Sequence, residues 1–324
     1  METNTYDFIL ESAIAENTRI AYEKGWKRFS NFCEKRGYKT FPAEPKSVIE
    51  FLIEQATQPV GVKGKHLSMG TVVLYHSAIN RKHIDAGLPS PTRDPEVINV
   101  LRGLKRLKGT APRQVKALRE NQIESMLKAC LSARTQAGSK TTIGLRDAAI
   151  IAIGFAAALR RSEICNLKVE DVEIIESSDG LQPSQMFIYI RKSKTDQHGK
   201  GEKIAIPEGK RIKPIKRLKD WLKVSGISSG YLFQTLKRGG GLKGKKLHHS
   251  DIPRIVKYYA AQIGLDASEI AGHSLRAGFV TSAAAHHARL DKIMEVTRHR
   301  NPATVMAYIR DADAFSDHAG ERFL

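Results

Sequence analysis

The sequence predicts a mainly α-helical protein with a small antiparallel β-sheet, divided into two domains. Apolar residues recur at helical spacing over most of the chain, whereas the alternation typical of a strand is confined to Met186–Arg191 and its return partner Lys203–Ile206. The chain has 324 residues, which exceeds the usual size of a single hydrophobic core. We therefore expect a first domain at residues 1–107, a linker at 108–116 and a second domain at 117–324.

Four helices are predicted in the first domain, with Arg and Lys on their outer faces. The first begins at Thr18 and presents an apolar stripe. The second follows a Pro-rich break, and Ser47 is expected to cap it. The third spans Ser68–His83, and the fourth begins near Asp94-Pro95, because Pro is favoured in a first helical turn.

The segment 108–116 is small, basic and contains Gly and Pro, which is typical of a linker. Beyond it, helices are predicted at Glu120–Cys130 and Arg146–Leu159, and again from Asp251 onward. The two strands flank Lys192–Gly201, a loop too polar and Gly-rich to lie in a core. The second domain is therefore expected to be helical around a small sheet.

The chain is strongly basic. It carries 53 Lys and Arg against 34 Asp and Glu, a formal net charge of +19. Such an excess indicates a polyanion partner, most often nucleic acid, although ribosomal and membrane-surface proteins can be equally basic. Charge alone leaves these classes open.

The sequence favours a cytoplasmic protein. The one long apolar run, Ala148–Leu159, is too short for a membrane span and is expected to be a core helix. The polar start of the chain does not look like a signal peptide. The three cysteines, Cys33, Cys130 and Cys165, lack metal-ligand spacing and are expected to be buried thiols in a reducing compartment.

The candidate catalytic residues lie between positions 160 and 308: Arg160, His273, Arg276, His299 and Tyr308. Arginines can neutralise charge on the non-bridging oxygens of a phosphodiester, and imidazoles can transfer protons. A tyrosine hydroxyl can act as the nucleophile when the product is a covalent phosphotyrosine. The combination suggests phosphoryl transfer to tyrosine.

Spacing supports a common site. His273 and Arg276 lie one helical turn apart and would share a helix face, although such a pair is weak by itself. Asn301 and Pro302 look like a helix N-cap and first position, which places His299 in the preceding turn and Tyr308 two turns into the helix.

The ordered set resembles the tyrosine recombinases, also called the lambda-integrase family. That family's signature is an Arg in a G-L-R-x-S-E-like run, a hairpin Lys, an H-x-x-R, a His or Trp, and the Tyr nucleophile. The run Ala158–Glu163 departs from it only at the Gly. The segments Phe41–Pro45, Ala86–Pro89 and Tyr308–Arg310 look like the Cre-like branch of the family, so the resemblance covers both domains.

The resemblance implies a role for each residue. Tyr308 would attack phosphorus and leave a 3′-phosphotyrosyl link with a free 5′ hydroxyl, and Arg160 and Arg276 would bind the non-bridging oxygens. His299 would hydrogen-bond the phosphate and His273 would accept the Tyr proton. Glu163 is expected to orient the cluster, with a surface helix charge as the alternative; the motif register favours Arg160 over its neighbour Arg161.

The hairpin Lys would protonate the departing 5′ oxygen. Its place in the strand–loop pattern favours Lys194, within Ser-Lys-Thr. Lys200, within Gly-Lys-Gly, is the alternative, because some family members place their Lys in such a turn.

DNA recognition is less sharply defined. By position, two N-terminal helices and the start of one C-terminal helix should meet DNA, with a solvated helix face as the alternative for each. The expected contacts, most of them to phosphate, are Arg19, Lys24, Lys27, Arg28, Ser68, Thr71, Tyr75, His76, Lys200, His248, His249 and Ser250.

The resemblance further implies an N-terminal core-binding (SAM-like) domain and a C-terminal catalytic domain that together form a C-shaped clamp on DNA. It also implies a homotetramer on two inverted-repeat sites, linked through the tail Asp311–Leu324, with accessory proteins as additional partners. No metal or cofactor is expected, because the sequence shows neither a carboxylate cluster nor a phosphate-binding P-loop. The alternatives are a type IB topoisomerase-like enzyme, a hairpin telomere resolvase and a non-catalytic basic DNA-binding protein.

Overall fold

A computed structural model describes residues 16–60, 64–109, 115–132, 141–176, 183–191 and 201–312. The chain divides into two compact units, Met1–Arg113 and Gln114–Leu324, which we call the N-terminal and C-terminal units. The described residues are mostly helical, with small antiparallel sheets, as the sequence predicts.

The N-terminal unit contains helices α1 (Glu16–Arg36), α2 (Pro45–Thr57), α3 (Met69–Asp85) and α4 (Pro95–Lys108), and a short β1–β2 pair (Pro59–Val60 with Lys65–His66). Their apolar faces enclose one core that includes Phe29, Phe51 and Val97. Helices α1 and α3 approach closely at Gly25, where an added Cβ would lie 3.0 Å from the Cβ of Ala78.

The predicted helix starts partly match the structure. Helices α3 and α4 begin where expected, and the side-chain oxygens of Ser68 and Asp94 cap them. The expectation for Ser47 is wrong: α2 begins at Pro45 after Glu44, and the Ser47 hydroxyl lies inside the first turn, where it donates to the Glu44 carbonyl (2.8 Å). The Pro residue starts this helix one turn earlier than the Ser signal implied, because its fixed φ suits the first helical position.

The C-terminal unit is built around one apolar helix. Its helices are α5 (Glu120–Ser132), α6 (Thr142–Ala156), α7 (Arg161–Asn166), α8 (Pro214–Ser225), α9 (Asp251–Gln262), α10 (Ser274–Ala285), α11 (Leu290–Thr297) and α12 (Pro302–Ala312). Nearly all of α6 is buried, and it packs against α5, α8 and α10. This helix contains most of the apolar run whose length excluded a membrane span. No helix among the described residues is both long and apolar enough to cross a membrane.

Two small antiparallel sheets lie among the described residues of the C-terminal unit. The first has the order β3–β4–β5 (Val172–Ile175, Gln185–Ile190, Glu202–Pro207), with Met186, Ile188 and Ile190 facing the core. The β4–β5 pair confirms the two predicted strands, whereas β3 was not expected. The second sheet is the hairpin β6–β7 (Gln234–Leu236, Leu242–Lys246). Neither this hairpin nor helix α8 was predicted.

Close backbone packing positions α10. Gly278 faces the segment before α5, where an added Cβ would lie 1.9 Å from the Leu118 carbonyl oxygen. The Leu118 amide also donates to the Ser274 carbonyl (3.1 Å). Because only Gly fits this contact, it holds the start of α10, which contains Arg276 and follows His273, against the core.

Candidate active site

A tight turn after α6 presents Arg160. The Leu159 amide bonds to the Gly154 carbonyl (3.0 Å), the Ala158 amide bonds to the Phe155 carbonyl (3.0 Å), and Ala158 has φ +46°, which together form a Schellman-type helix ending. Gly is the residue usually found in this left-handed position. The turn therefore explains why the family's run has Gly where this chain has Ala158.

Glu163 holds Arg160 from the first turn of α7. One carboxylate oxygen accepts from the Arg160 backbone amide (2.7 Å), and the other accepts from its guanidinium Nη1 (2.8 Å). The Glu163 side chain is only 2% exposed, whereas neighbouring Arg161 is exposed. Burial acts to raise the pKa of Glu163, but Arg298 and Arg160 outweigh it and hold the pKa below its ordinary value.

Arg276 lies in the first turn of α10 and is 1% exposed. Its Nη1 donates to the Ala158 carbonyl (2.7 Å), while Nε and Nη2 have no hydrogen-bond partner among the described residues. Burial, followed by repulsion from Arg160 and Arg298, lowers the pKa of Arg276 to about 9. Two buried N–H groups without partners make this an unsatisfied site for an oxyanion.

His299 and Tyr308 flank the start of α12. Asn301 caps this helix by accepting from the Ala303 amide (2.9 Å), as the sequence predicts. Tyr308 lies half-buried two turns into α12, and its ring centroid is 6.4 Å from that of His273, the N-cap residue of α10. One chain therefore brings together the nucleophile candidate and its candidate base.

The tautomer of His299 follows from its neighbour. His299 Nδ1 lies 2.9 Å from the Thr297 hydroxyl, which itself donates to the Ile293 carbonyl (2.7 Å). Because the hydroxyl proton is already used, Thr297 must accept from Nδ1–H. In neutral His299, Nε2 is then an acceptor.

The cluster is strongly cationic, and both imidazoles respond to it. Desolvation, followed by Arg276 and Arg160, lowers the pKa of His299 to about 4. The same causes in the same order lower the pKa of His273. Burial raises the pKa of Tyr308, which Arg276 partly opposes. Without DNA, both His residues are neutral near pH 7 and Tyr308 keeps its proton.

Sequence reasoning missed Arg298. It ends α11 in the left-handed conformation (φ +57°), and its side chain is 4% exposed. Its Nη2 donates 2.8 Å to the Glu163 carboxylate. A basic residue beside a candidate His carries no signal of burial, so its sequence position alone could not have identified it.

The predicted hairpin lysines, Lys194 and Lys200, lie outside the described residues, as does the tail from residue 313. Among the described residues, no group of three or more His, Cys, Asp or Glu side chains is arranged to hold a metal ion. Cys33, Cys130 and Cys165 are free and buried.

The predicted DNA contacts on α1 differ in availability. Lys24 and Lys27 are exposed. Arg28 is also exposed but donates to the side chain of Gln55 (2.9 Å), and Arg19 forms salt bridges with the acidic residues Glu16 and Glu23 of its own helix.

The candidates at the start of α3 also serve the fold. The hydroxyl of Ser68 caps the helix and lies 3.1 Å from that of Thr71. Tyr75 packs against the core, and His76 Nε2 lies 3.3 Å from the Thr92 carbonyl oxygen. Desolvation lowers the pKa of His76. These contacts favour a structural role that can coexist with DNA contact at the exposed atoms.

His248, His249 and Ser250 precede α9 as expected. His248 Nδ1 lies 2.7 Å from the Ser250 hydroxyl, and the rings of His248 and His249 lie 3.9 Å apart. Slight desolvation, followed by His248 and Arg161, lowers the pKa of His249. The proximity to Arg161 places this trio beside the start of α7.

A shallow basic groove adjoins this trio, which we call the hairpin groove. Its lining residues come mainly from β6–β7: Thr235, Lys237, Lys243, Lys245, Lys246, His248 and Asp251. This groove was not predicted, although the Lys- and Gly-rich run at 237–246 indicates a basic turn.

Comparison with known proteins decides the family. The phage integrase family model matches residues 116–314, which include all the described cluster residues. The chain belongs to this family. It is a tyrosine site-specific recombinase, an enzyme that cleaves and rejoins DNA, and the topoisomerase and non-catalytic alternatives are not favoured.

The recombinase has relatives along almost its whole length. It is 33% identical over 318 residues to an integrase/recombinase xerD homolog of Selenomonas ruminantium, covering 97% of this chain and 87% of that protein. It is 25% identical over 321 residues to the recombinase cre of Escherichia phage P1, covering 93% and 86%. A lambda integrase dimer bound to a COC′ core site shares its fold at 17% identity (TM-score 0.59, covering 95% and 94%).

Proposed function

We propose that Tyr308 is the nucleophile and that it cleaves DNA in cis, within the cluster of its own chain. Its oxygen attacks the phosphorus, the bond to the 5′ oxygen breaks, and a 3′-phosphotyrosyl link and a 5′ hydroxyl result. The observation that carries this proposal is the convergence of Tyr308, His273 and Arg276 in one unit of one chain. Rejoining reverses the step, so the bond energy is retained.

Arg160 and Arg276 bind the non-bridging oxygens of the scissile phosphate. Arg276 offers the two buried N–H groups that lack partners, and Arg160 is oriented through Glu163 while its side chain remains 18% exposed. Preformed donors of this kind stabilise the charge that develops in the transition state, because they need no reorganisation. Their planar guanidinium groups suit bidentate contact with a phosphate.

DNA binding changes the pKa values of the two histidines. The phosphate charge opposes the field of the arginines, so binding raises the pKa values of His273 and His299 from their lowered positions. His273 then becomes a better base for the Tyr308 proton. His299 takes up a proton at Nε2 and donates it in a hydrogen bond to the phosphate. The histidines therefore reach their catalytic protonation states only when DNA is bound.

The general acid comes from the β4–β5 hairpin. Lys194 protonates the departing 5′ oxygen, and Lys200 remains the alternative; both rest on the sequence pattern alone. Replacing each with Ala and using a substrate with a 5′-bridging sulfur, whose leaving group needs no proton, distinguishes them. Only the true acid's variant should recover cleavage with that substrate.

The N-terminal unit acts as the core-binding domain, with Lys24, Lys27, Arg28 and the exposed atoms at the start of α3 on DNA. Two inverted-repeat sites assemble four subunits, and strands exchange through a Holliday junction in integration, excision or resolution. The reaction takes place on cytoplasmic DNA, with accessory DNA-bending or directionality proteins as further partners. Support comes from the basic charge of the chain and from relatives that include recombinases of both phage and bacteria.

The first experiment uses inverted repeats found in DNA flanking the gene, built into nicked substrates that trap the covalent intermediate. Wild-type protein should give a species attached to a DNA 3′ end on a denaturing gel, and Tyr308→Phe should bind equally but give none. A covalent species of equal yield from Tyr308→Phe would assign the nucleophile elsewhere.

A further inference from the structure

Arg298 adopts a backbone conformation that is unfavourable for its residue type. Its φ of +57° and ψ of +42° are left-handed, and its amide closes α11 by donating to the Met294 carbonyl (2.7 Å). This conformation is unfavourable for an L-residue with a side chain, whereas Gly adopts it freely. His287, at φ +56°, shares the strain but is exposed, whereas the guanidinium of Arg298 is buried.

The buried side chain connects two catalytic segments. Arg298 immediately precedes His299, yet its Nη2 reaches the Glu163 oxygen that also accepts from the Arg160 amide. The other Glu163 oxygen holds the Arg160 guanidinium. One carboxylate thus ties the turn before α12 to the start of α7.

The charges around Glu163 show why a second cation is needed. Burial disfavours its ionised form, and the charge of Arg298 is the largest factor that opposes this. Arg160 faces Glu163 from its own element, Arg276 acts on it from α10, and Glu202 of β5 lies 3.9 Å from Arg298 Nε. A neutral Glu163 would keep a weaker contact with Arg160.

We propose that Arg298 is a positioning residue: it keeps Glu163 anionic and in place, and through Glu163 it fixes the guanidinium of Arg160 for the scissile phosphate. This rests on the proposed role of Arg160. Nε and Nη1 of Arg298, like two nitrogens of Arg276, have no hydrogen-bond partner among the described residues, but its Nη2 is bonded to Glu163. Because the proposed role acts through that carboxylate, loss of Arg298 should slow cleavage and leave DNA affinity intact.

The main test is Arg298→Gly, since Gly suits the left-handed backbone and removes only the side chain. Single-turnover cleavage of a nicked site should slow by about 10- to 100-fold, the effect of a slightly misplaced catalytic group, with unchanged DNA affinity. Arg298→Lys, which restores a cation, should recover part of the rate. The matched control His287→Gly changes an equally left-handed but exposed residue and should cleave at the wild-type rate.

The Glu163→Gln background separates positioning from direct contact. Because Gln has no charge to stabilise, adding Arg298→Gly to it should slow cleavage by less than about twofold, as expected when two residues act through one contact. A full 10- to 100-fold loss in that background would mean that Arg298 touches the phosphate itself and would overturn the proposal. Unchanged cleavage by Arg298→Gly in the wild-type background would do so as well.

The pH profile gives a further readout that a merely structural role would not move. Without Arg298 the pKa of Glu163 rises, so Glu163 becomes protonated at higher pH and the rate falls earlier as pH decreases. Arg298→Lys should reverse this shift, and Glu163→Gln should abolish it. If Arg298→Gly fails to fold, Arg298→Gln against Arg298→Lys makes the same comparison at similar side-chain length. If Arg160→Ala still cleaved DNA, the proposed role of Arg160 would be refuted. That result is distinct from the outcomes of the Arg298 variants, which test only the positioning role.

Discussion

The proposed active-site cluster and the hairpin groove are both rich in positive charge, but in opposite surroundings. Arg276 is almost fully buried, and this burial, followed by repulsion from Arg160 and Arg298, lowers its pKa to about 9. Lys243 and Lys245 of the groove are exposed to solvent. Position in the fold, rather than residue type, therefore separates cations suited to catalysis from cations suited to electrostatic attraction of DNA.

The difference predicts two patterns of response to mutation. Buried charges that share Glu163 are coupled, so changing one alters the others and the effects are not additive. Exposed lysines act through solvent and salt, and each should contribute a small and nearly independent amount to DNA affinity.

The largest contrast is between adjacent arginines. Arg160→Ala removes the guanidinium held by Glu163 and should reduce covalent complex formation by about 100- to 1000-fold, the usual effect of losing one preformed donor. Arg161→Ala removes an exposed cation and should change it by less than about fivefold. The measurement is trapping of the covalent complex at saturating protein, with DNA affinity determined separately.

Equal losses of covalent complex in the two variants would contradict this expectation. They would show that exposure does not distinguish catalytic from surface arginine here, and the register of the catalytic run would have to move by one residue.

The next effect concerns pH. The pKa of His299 lies near 4 in the free protein, so it is neutral at pH 7 and must gain a proton to donate from Nε2. Lower pH should therefore strengthen binding of cleavable DNA. His299→Trp supplies an N–H that does not titrate, and should bind with a weaker dependence on pH between about 5 and 7. Thermal melting should show the reverse sign for the free wild-type protein: stability falls as pH drops below about 6.5, because the unfolded His binds protons first.

Thr297→Val provides the control. It removes the acceptor that fixes Nδ1–H, so neutral His299 can carry its proton on Nε2, and the pH dependence should again flatten. An unchanged pH dependence in both variants would assign it to His273 or to the exposed histidines.

Much of the fold could be predicted from local pattern. The apolar run of α6, the starts of α3 and α4 and the cap of α12 are readable because they depend on residues close in sequence. Helix α8 and the strand β3 were missed, although both pack against the core. Both elements are stabilised by burial against other parts of the fold, which the local sequence pattern does not reveal.

The residues of the candidate cluster were predicted from the order of the motifs, whereas the contacts that hold them in place were not. Arg298 and Thr297 act through long-range or backbone-determined contacts: Arg298 reaches Glu163 across the fold, and Thr297 matters only because its proton is already donated to Ile293. Neither relation leaves a spacing signal. Contacts of this kind become visible only once the helix ends are placed.

A smaller effect is expected in the hairpin groove. Replacing Lys243 and Lys245 together with Gln should reduce the slope of log affinity against log salt by about 2, one for each lost phosphate contact. Cleavage at saturating protein should not change. The matched pair Lys216→Gln and Lys223→Gln, exposed on α8 outside the groove, should leave the slope at its wild-type value. Equal slopes for both pairs would remove the groove from the DNA interface.

The smallest effect should come from Ala158→Gly, within the cluster but without a charge. Gly relieves the left-handed backbone at φ +46°, yet it removes a fully buried methyl group and adds freedom to the unfolded chain. These terms are each of order 1 kcal/mol and oppose one another, so the free energy of unfolding should change by less than about 1 kcal/mol. The Ala158 carbonyl still accepts from Arg276, so cleavage should be unaffected. A large loss of cleavage without loss of stability would mean that the Ala158 methyl group, and not only the charges, positions Arg276, and the contrast between the two regions would need a steric component.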